Sequence, residues 1–212
     1  MYAKLFKSWT DAELANIGLA RTDDGIKIDI PQDANIYHMT VGAQIKAGRS
    51  AAPAMIFEHG DGTIERWSFG DIDAQATALA ADLRARGYGR GDLIGVHTGM
   101  RPETAIAHMA VCKLGATAVT LSQLYGPDAL AHALNHCEAR CLLSSETAWA
   151  PLRDAAAKKF PFLTDVLVCE TLGSEPDLQA ILRAGAPADF APDYTGADDA
   201  ALLMYTSGST GM

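Results

Sequence analysis

A chain of 212 residues, 49% hydrophobic and 20% charged, is long enough for one globular domain and too apolar to be disordered. Its formal net charge of −9 excludes nucleic acid as a partner, because that binding sets Lys and Arg against phosphates. No apolar run reaches the ~20 residues of a membrane span, and residues 1–7 lack the apolar core of a secretory leader, so the chain reads as cytoplasmic.

Residues 1–52 read as an arm that packs on the domain after it. Trp9, Leu14 and Ile17 suggest a short helix behind the Thr10/Asp11 start signal. Ile26, Ile28 and Ile30 alternate with polar residues until Pro31, which predicts a short extended strand. A second helix is expected from Asn35 to about Lys46, closing before Gly48. Residues 54–58 and 63–67 predict a β-hairpin turned by Asp61-Gly62, since glycine accepts φ > 0. Ser68 and Asp71 form an S-x-x-D cap for a long helix with Ile72, Ala76, Leu79, Ala80 and Leu83 on one stripe. Arg84 and Arg86 favour the negative end of its dipole, and Gly87 is its stop. Gly89-Arg90-Gly91 is a connector and not a dinucleotide loop. Such a loop follows a strand and opens a helix, whereas this segment does the reverse.

From here strands and helices alternate. Residues 93–96 form an apolar strand. Pro102 opens a helix with Ala105, Ile106, Met109 and Cys112 inward and Gly115 closing it. Residues 116–121 are the next strand, and Pro127 opens a helix with Leu130, Ala133, Leu134 and Cys137 inward. Strands at 141–143, 166–169 and 202–204 alternate with helices at 151–160 and 177–184. The pattern predicts an α/β fold: a parallel sheet with helices on both faces, plus the arm and the hairpin. Ligands of such sheets bind beyond the carboxyl ends of the strands.

Cys112, Cys137 and Cys169 fall in apolar patterns and read as small hydrophobes. The run His132, His136, Cys137 and Cys141 invites a zinc reading. However, Cys137 shares the inward face with Leu130 and Leu134, the histidines lie on another face, and Cys141 belongs to the next strand. No metal ligand is assigned. His97, His108, His132 and His136 sit in patterns that packing explains, so no catalytic acid or base is assigned either.

The last strand runs into Tyr205-Thr206-Ser207-Gly208-Ser209-Thr210-Gly211. Glycines let backbone N–H groups approach an anion, and hydroxyls add donors on the same wall. Phosphate is the usual guest. The candidate cofactor-binding residues are therefore Thr206, Ser207, Gly208, Ser209, Thr210 and Gly211. The G-x-x-x-x-G-K-[ST] pattern of kinase-type loops is absent.

Residues 203–212 resemble the phosphate-loop signature of the adenylate-forming (AMP-binding) enzymes, which include acyl-CoA synthetases, luciferases and peptide-synthetase adenylation domains. Trp67-Ser68-Phe69, Gly91-Asp92-Leu93-Ile94-Gly95-Val96 and Lys113-Leu114-Gly115-Ala116 are similar to the early part of an acyl-CoA synthetase. Residues 121–130 are similar to the acetyl-CoA-synthetase-like branch that acts on short and medium chains. The resemblance runs from about residue 35 to the end and weakens between 145 and 195. The Pro and Lys that follow the loop in that family are not in this sequence, nor are the acid pocket, the magnesium carboxylate and the C-terminal domain. Residues 53–212 thus resemble an incomplete AMP-binding large domain, the first part of a longer enzyme.

The resemblance implies a ligase that activates a small carboxylic acid with ATP and Mg2+ to an acyl-adenylate and passes the acyl group to coenzyme A. The loop of residues 206–211 would hold the departing phosphates. Two other readings stay open: an adenylation domain that loads a carrier-protein thiol, and a non-catalytic piece that serves as a packing or interaction module. The 212 residues alone are expected not to turn over. The last strand is expected to present an open edge that favours self-association. Codons for Pro-Lys-Gly in frame after Met212 would mark the chain as part of a working ligase.

Overall fold

The computed structural model describes residues 8–15, 18–23, 25–28, 30–193 and 195–206. Five parallel strands form the central sheet: β5 (Leu93–His97), β6 (Thr117–Thr120), β7 (Cys141–Ser145), β8 (Asp165–Cys169) and β9 (Leu202–Met204). Their order is β8-β7-β5-β6-β9, so β5 is central and β9 is an edge. All four pairings are parallel. Two antiparallel pairs lie outside this sheet: β1 (Leu19–Thr22) with β2 (Gly25–Ile28), and β3 (Pro53–Glu58) with β4 (Ile64–Ser68).

The pleat sends alternate residues to opposite faces. Ile94, Val96, Ala118, Cys141, Leu143, Leu167 and Cys169 face one layer of helices. That layer holds α3 (Phe69–Ala85), α4 (Pro102–Leu114) and α8 (Leu178–Ala184). Val119, Leu142 and Val168 face the other layer, built from α5 (Pro127–His136) and the irregular helical run after β7. Both faces are covered, as the uninterrupted apolar strands predict.

The local signals explain the ends of the elements. Ser68 and Asp71 form a reciprocal capping box at the start of α3. Pro102 and Pro127 stand in the first turns of α4 and α5. Gly115 closes α4 in the left-handed conformation at φ 78°. The helix α1 (Asp11–Ala15) buries Leu14, and Ile17, expected in the same helix, lies outside the described residues.

Two expectations need correction. The helix expected at 151–160 is instead three short pieces: α6 (Glu146–Trp149), a 3₁₀ run at Ala150–Ala155, and α7 (Ala156–Lys159). The change from the 3₁₀ run to α7 falls at Ala155, whose φ −98° and ψ −2° lie off the α-helical values. In α4, Ala105 and Met109 are only half-buried, while Ala107, Ala110, Val111 and Leu114 are buried. A helix touched by the sheet on one side and by α3 on another has no single inward stripe. Cys137, at the end of α5, packs against the core with Leu130 and Leu134 as expected, though only half-buried, and its thiol reaches the Leu134 carbonyl at 3.6 Å. The second helix of the arm contains a π turn at His38–Gly42 before α2 (Ala43–Lys46).

Two polar clusters tie distant segments to this frame. Asn35 is 4% exposed and donates to the Cys112 carbonyl at 2.9 Å and to Thr195 Oγ1 at 3.0 Å. It thereby fixes the arm against α4 and against the chain entering β9. Glu175 accepts from Trp149 Nε1 and Arg153 Nε, each at 2.7 Å, and Arg153 also reaches Glu146. The Arg153 guanidinium, helped by Trp149, holds the Glu175 carboxyl down to about 2. A depressed carboxyl stabilises the fold fully above the ordinary pKa of about 4.3, and this contribution is lost as pH falls through 2. Glu175→Gln should therefore lower the melting temperature at pH 7 and flatten its fall between about pH 4.5 and 2. Parallel thermal melts of the two proteins across that range decide the point.

Candidate functional site

The carboxyl ends of the parallel strands form one rim, where an α/β sheet binds its ligands. The chain leaves β5 at Thr98-Gly99, β6 at Leu121-Ser122-Gln123, β7 at Ser145, β8 at Glu170 and β9 at Tyr205-Thr206. Gln123 crosses from the end of β6 to Ser145 at the end of β7, with Nε2 3.1 Å from Oγ. It passes over Gly99, which has φ 78° and no room for a Cβ against the Gln123 carboxamide. Glycine suits the left-handed backbone there, whereas the Gln123 carboxamide, at the end of a flexible side chain, could move aside for a Cβ.

Beneath this crossing a cavity of about 430 Å³ opens between the rim and the β3–β4 hairpin. Arg101, Glu103, Glu170 and Gln179 line it from the sheet side, and His59 and Glu65 from the hairpin. Its charges are already paired. Arg101 Nε lies 2.9 Å from Glu103 Oε2, and its Nη2 lies 3.3 Å from Glu170 Oε1. Gln179 donates to Glu103 Oε1 at 2.9 Å, and His59 Nε2 lies 2.8 Å from Glu65. Burial would raise the Glu103 carboxyl, but Arg101 and Gln179 hold it below its usual range. Three carboxylates against one spent guanidinium make this recess unfit for a polyphosphate. The sequence carries no local signal for it, because its residues come from six separate segments.

The β6–β9 ladder pairs Ala118 with Leu202, Val119 with Leu203 and Thr120 with Met204, and the chain then leaves the sheet on the ligand-binding rim. Thr206, the last described residue, is exposed there. Ser207, Gly208, Ser209, Thr210 and Gly211 lie outside the described residues. Residue Tyr205, which joins strand to loop, is anchored: its carbonyl accepts from Tyr125 Oη at 3.0 Å, and its hydroxyl lies 2.8 Å from His136 Nδ1.

The other titratable candidates occupy structural positions. His97 is 2% exposed, with Nε2 3.2 Å from the Ser122 carbonyl, and burial holds its imidazole below the usual range. His108 bridges the Thr104 carbonyl and Thr120 Oγ1 at 2.7 and 2.9 Å. Burial pushes the Cys112 thiol up to about 11 and the Cys169 thiol up to about 12, which suits core residues and not nucleophiles.

Sheet and flanking helices together define a parallel α/β domain covered on both faces. The chain belongs to the AMP-binding enzyme family, whose sequence profile matches residues 43–212. It is similar to the acetyl-coenzyme A synthetase of Parvibaculum lavamentivorans, 29% identical over 179 residues that cover 77% of this chain and 28% of that protein. It is also similar to acetyl-coenzyme A synthetase 2 of Pseudomonas putida, 26% identical over 97% of this chain and 34% of that protein. Among solved structures, the anthranilate CoA ligase AuaEII in complex with anthranoyl-AMP shares the fold, with a TM-score of 0.74. There the identity is 22%, over 86% of this chain and 33% of that one. The chain thus spans about a third or less of the length of these relatives.

Proposed function

We propose that this chain is the amino-terminal part of an AMP-forming acid–thiol ligase. The reading is carried by the family match and by the place in the sequence of the glycine- and hydroxyl-rich segment. It follows β9 at the ligand-binding end of a sheet whose sequence matches the AMP-binding family along 43–212. The similarity to acetyl-coenzyme A synthetases favours a short carboxylic acid such as acetate, with coenzyme A as the thiol. The structural neighbour is a CoA ligase in complex with an acyl-AMP, which favours an acyl-adenylate between the two steps.

In the first step a carboxylate oxygen bonds to the α-phosphorus of ATP as the bond to pyrophosphate breaks. In the second, the thiol sulfur bonds to the acyl carbon, AMP leaves, and the thiol proton passes to solvent. The share of this chain in that chemistry is to position and to stabilise charge. The backbone N–H groups of residues 206–211 and the hydroxyls of Thr206, Ser207, Ser209 and Thr210 hold the β- and γ-phosphates, while Gly208 and Gly211 allow their approach. Magnesium travels with the phosphates, and no side chain of this chain is assigned to it. The chain spans about a third or less of the length of its relatives, and we propose that the 212 residues alone do not turn over. No helix among the described residues is long and apolar enough to cross a membrane, and we place the reaction in the cytoplasm. Leu202 and Met204 on the edge strand are 44% and 65% exposed. Self-association of the isolated chain through that edge is part of the same proposal.

Acid-dependent exchange of pyrophosphate into ATP tests the reading, measured on this chain and on the chain extended through its in-frame continuation. Exchange is expected only in the extended protein. Thr210→Ala should reduce it by about 10²-fold, as the loss of one charge-stabilising donor does elsewhere. Exchange that survives Thr210→Ala and Ser209→Ala together would sink the assignment.

A further inference from the structure

The residue between β9 and the phosphate loop is gripped from two sides by chain that follows β6. A turn in which Tyr125 N donates to the Ser122 carbonyl at 3.1 Å presents the Tyr125 hydroxyl, which donates to the Tyr205 carbonyl at 3.0 Å. One helix later His136, in the last turn of α5, sets Nδ1 2.8 Å from Tyr205 Oη. The Tyr205 ring is met edge-on by His136 and His132, at centroid distances of 5.7 and 6.4 Å. The two imidazoles stack on each other at 5.9 Å, one helical turn apart. Both histidines are exposed, on a face of α5 that the core does not use.

The place of this grip matters. Strand β9 has three residues and its ladder to β6 ends at Met204. Tyr205 is therefore the first residue whose direction the sheet does not set. A chain leaving a ladder has two soft dihedrals per residue, yet a loop that presents N–H groups to an anion needs a fixed origin. Holding the carbonyl and the far end of the side chain of one residue removes rotation about both.

We propose that Tyr125 and His136 are positioning residues for the phosphate loop: together they fix Tyr205, and with it the direction in which the chain enters residues 206–211. The inference rests on the loop reading given under Proposed function. Burial, helped by the neighbouring Cys137, pushes the Tyr205 phenol up to about 12, so it remains a neutral hydroxyl at physiological pH. His132 stacks on His136 and keeps its ring turned to Tyr205.

Backbone order at Tyr205 and Thr206, read as NMR order parameters on the 212-residue chain, tests this. Tyr125→Phe and Tyr205→Phe each remove a single oxygen, and His136→Ala removes the ring. Each should lower the order parameter at Thr206 from the rigid range of about 0.85 to below about 0.6, with the melting temperature unchanged. His136→Asn, whose side-chain amide stands near the Nδ1 position, should restore the wild-type value. Equal order parameters in all the proteins, or a fall only where the melting temperature also falls, would overturn the proposal. Titration with magnesium pyrophosphate separates it from the reading it rests on. Lower order in the variants without pyrophosphate binding by any of them keeps the clamp and removes the phosphate role. Tight binding that is equal in all of them, with order unmoved, removes the clamp and keeps the phosphate role.

Discussion

Lys113→Ala should destabilise the domain by about 3 kcal/mol, the scale seen when one partner of a buried ion pair is removed. For a chain of this size that is a fall of roughly 6–12 °C in Tm. Lys113 is 5% exposed on α4. Its Nζ lies 2.6 Å from Asp73 Oδ1 on α3, within reach of the Thr77 hydroxyl, and 4.4 Å from the centre of the Tyr37 ring on the arm. Tyr37 Oη donates to the same Asp73 oxygen at 2.6 Å. One ammonium therefore joins three segments that the chain visits far apart in sequence. Removing it leaves the Asp73 carboxylate with Tyr37 alone and opens a void beside the ring. Asp73 is 27% exposed, so water recovers part of the loss, which is why the expected cost lies at the low end of the range. Lys113→Met keeps the stem and should recover part of the packing but none of the ion pair. A double-mutant cycle with Asp73→Asn isolates the pair. A coupling near zero, or a Tm within about 2 °C of wild type for Lys113→Ala, would show that the cluster does not bind the arm to the domain.

Gly95→Val should cost about as much, roughly 3 kcal/mol, by overpacking the second core. Gly95 lies in the middle of the central strand and faces the α5 layer. A Cβ placed on it would stand 2.8 Å from Leu142 Cδ1, 3.1 Å from Leu134 Cδ2 and 3.3 Å from Leu121 Cδ1. Those three methyl groups come from β7, α5 and the end of β6, so a displaced leucine has no free space to enter. Leu142→Ala alone should cost about 2–5 kcal/mol as a cavity. In Gly95→Ala/Leu142→Ala the added methyl would occupy part of that cavity, and the double variant should lose clearly less than the sum of the two singles. Denaturant midpoints for the four proteins give the comparison. Strict additivity would mean that the glycine is not there to let α5 close on the sheet.

Other residues show where local pattern was enough. The S-x-x-D cap at Ser68 and Asp71 formed as expected, because both partners lie within one helical turn and need nothing from the rest of the chain. The connector around Gly91, at φ 88°, and the stop at Gly115 likewise follow from what only glycine does at low cost. The pairing of β2 with β1 was not legible. Leu19-Ala20-Arg21-Thr22 shows no alternation of its own and becomes a strand only against Gly25–Ile28. Neither the broken helix after β7 nor the two-sided burial of α4 could be read from one stripe of apolar residues. Both depend on what stands on the far side.

The sequence by itself determined the class of this protein. Continuous apolar strands alternating with capped helices force a parallel sheet covered on both faces. The glycines and hydroxyls after the last strand carry the resemblance to the AMP-binding family, which the family match along 43–212 bears out. Tertiary structure alone decided the strand order, with β9 beside β6 at the edge. It also decided the paired charges of the cavity around Arg101, the buried Lys113 cluster, and the meeting of Tyr125 and His136 on Tyr205. Most of these contacts, such as Arg101 with Glu170, join residues tens of positions apart. Such contacts are set by how helices and strands stack once the whole core has closed, and no local propensity encodes them.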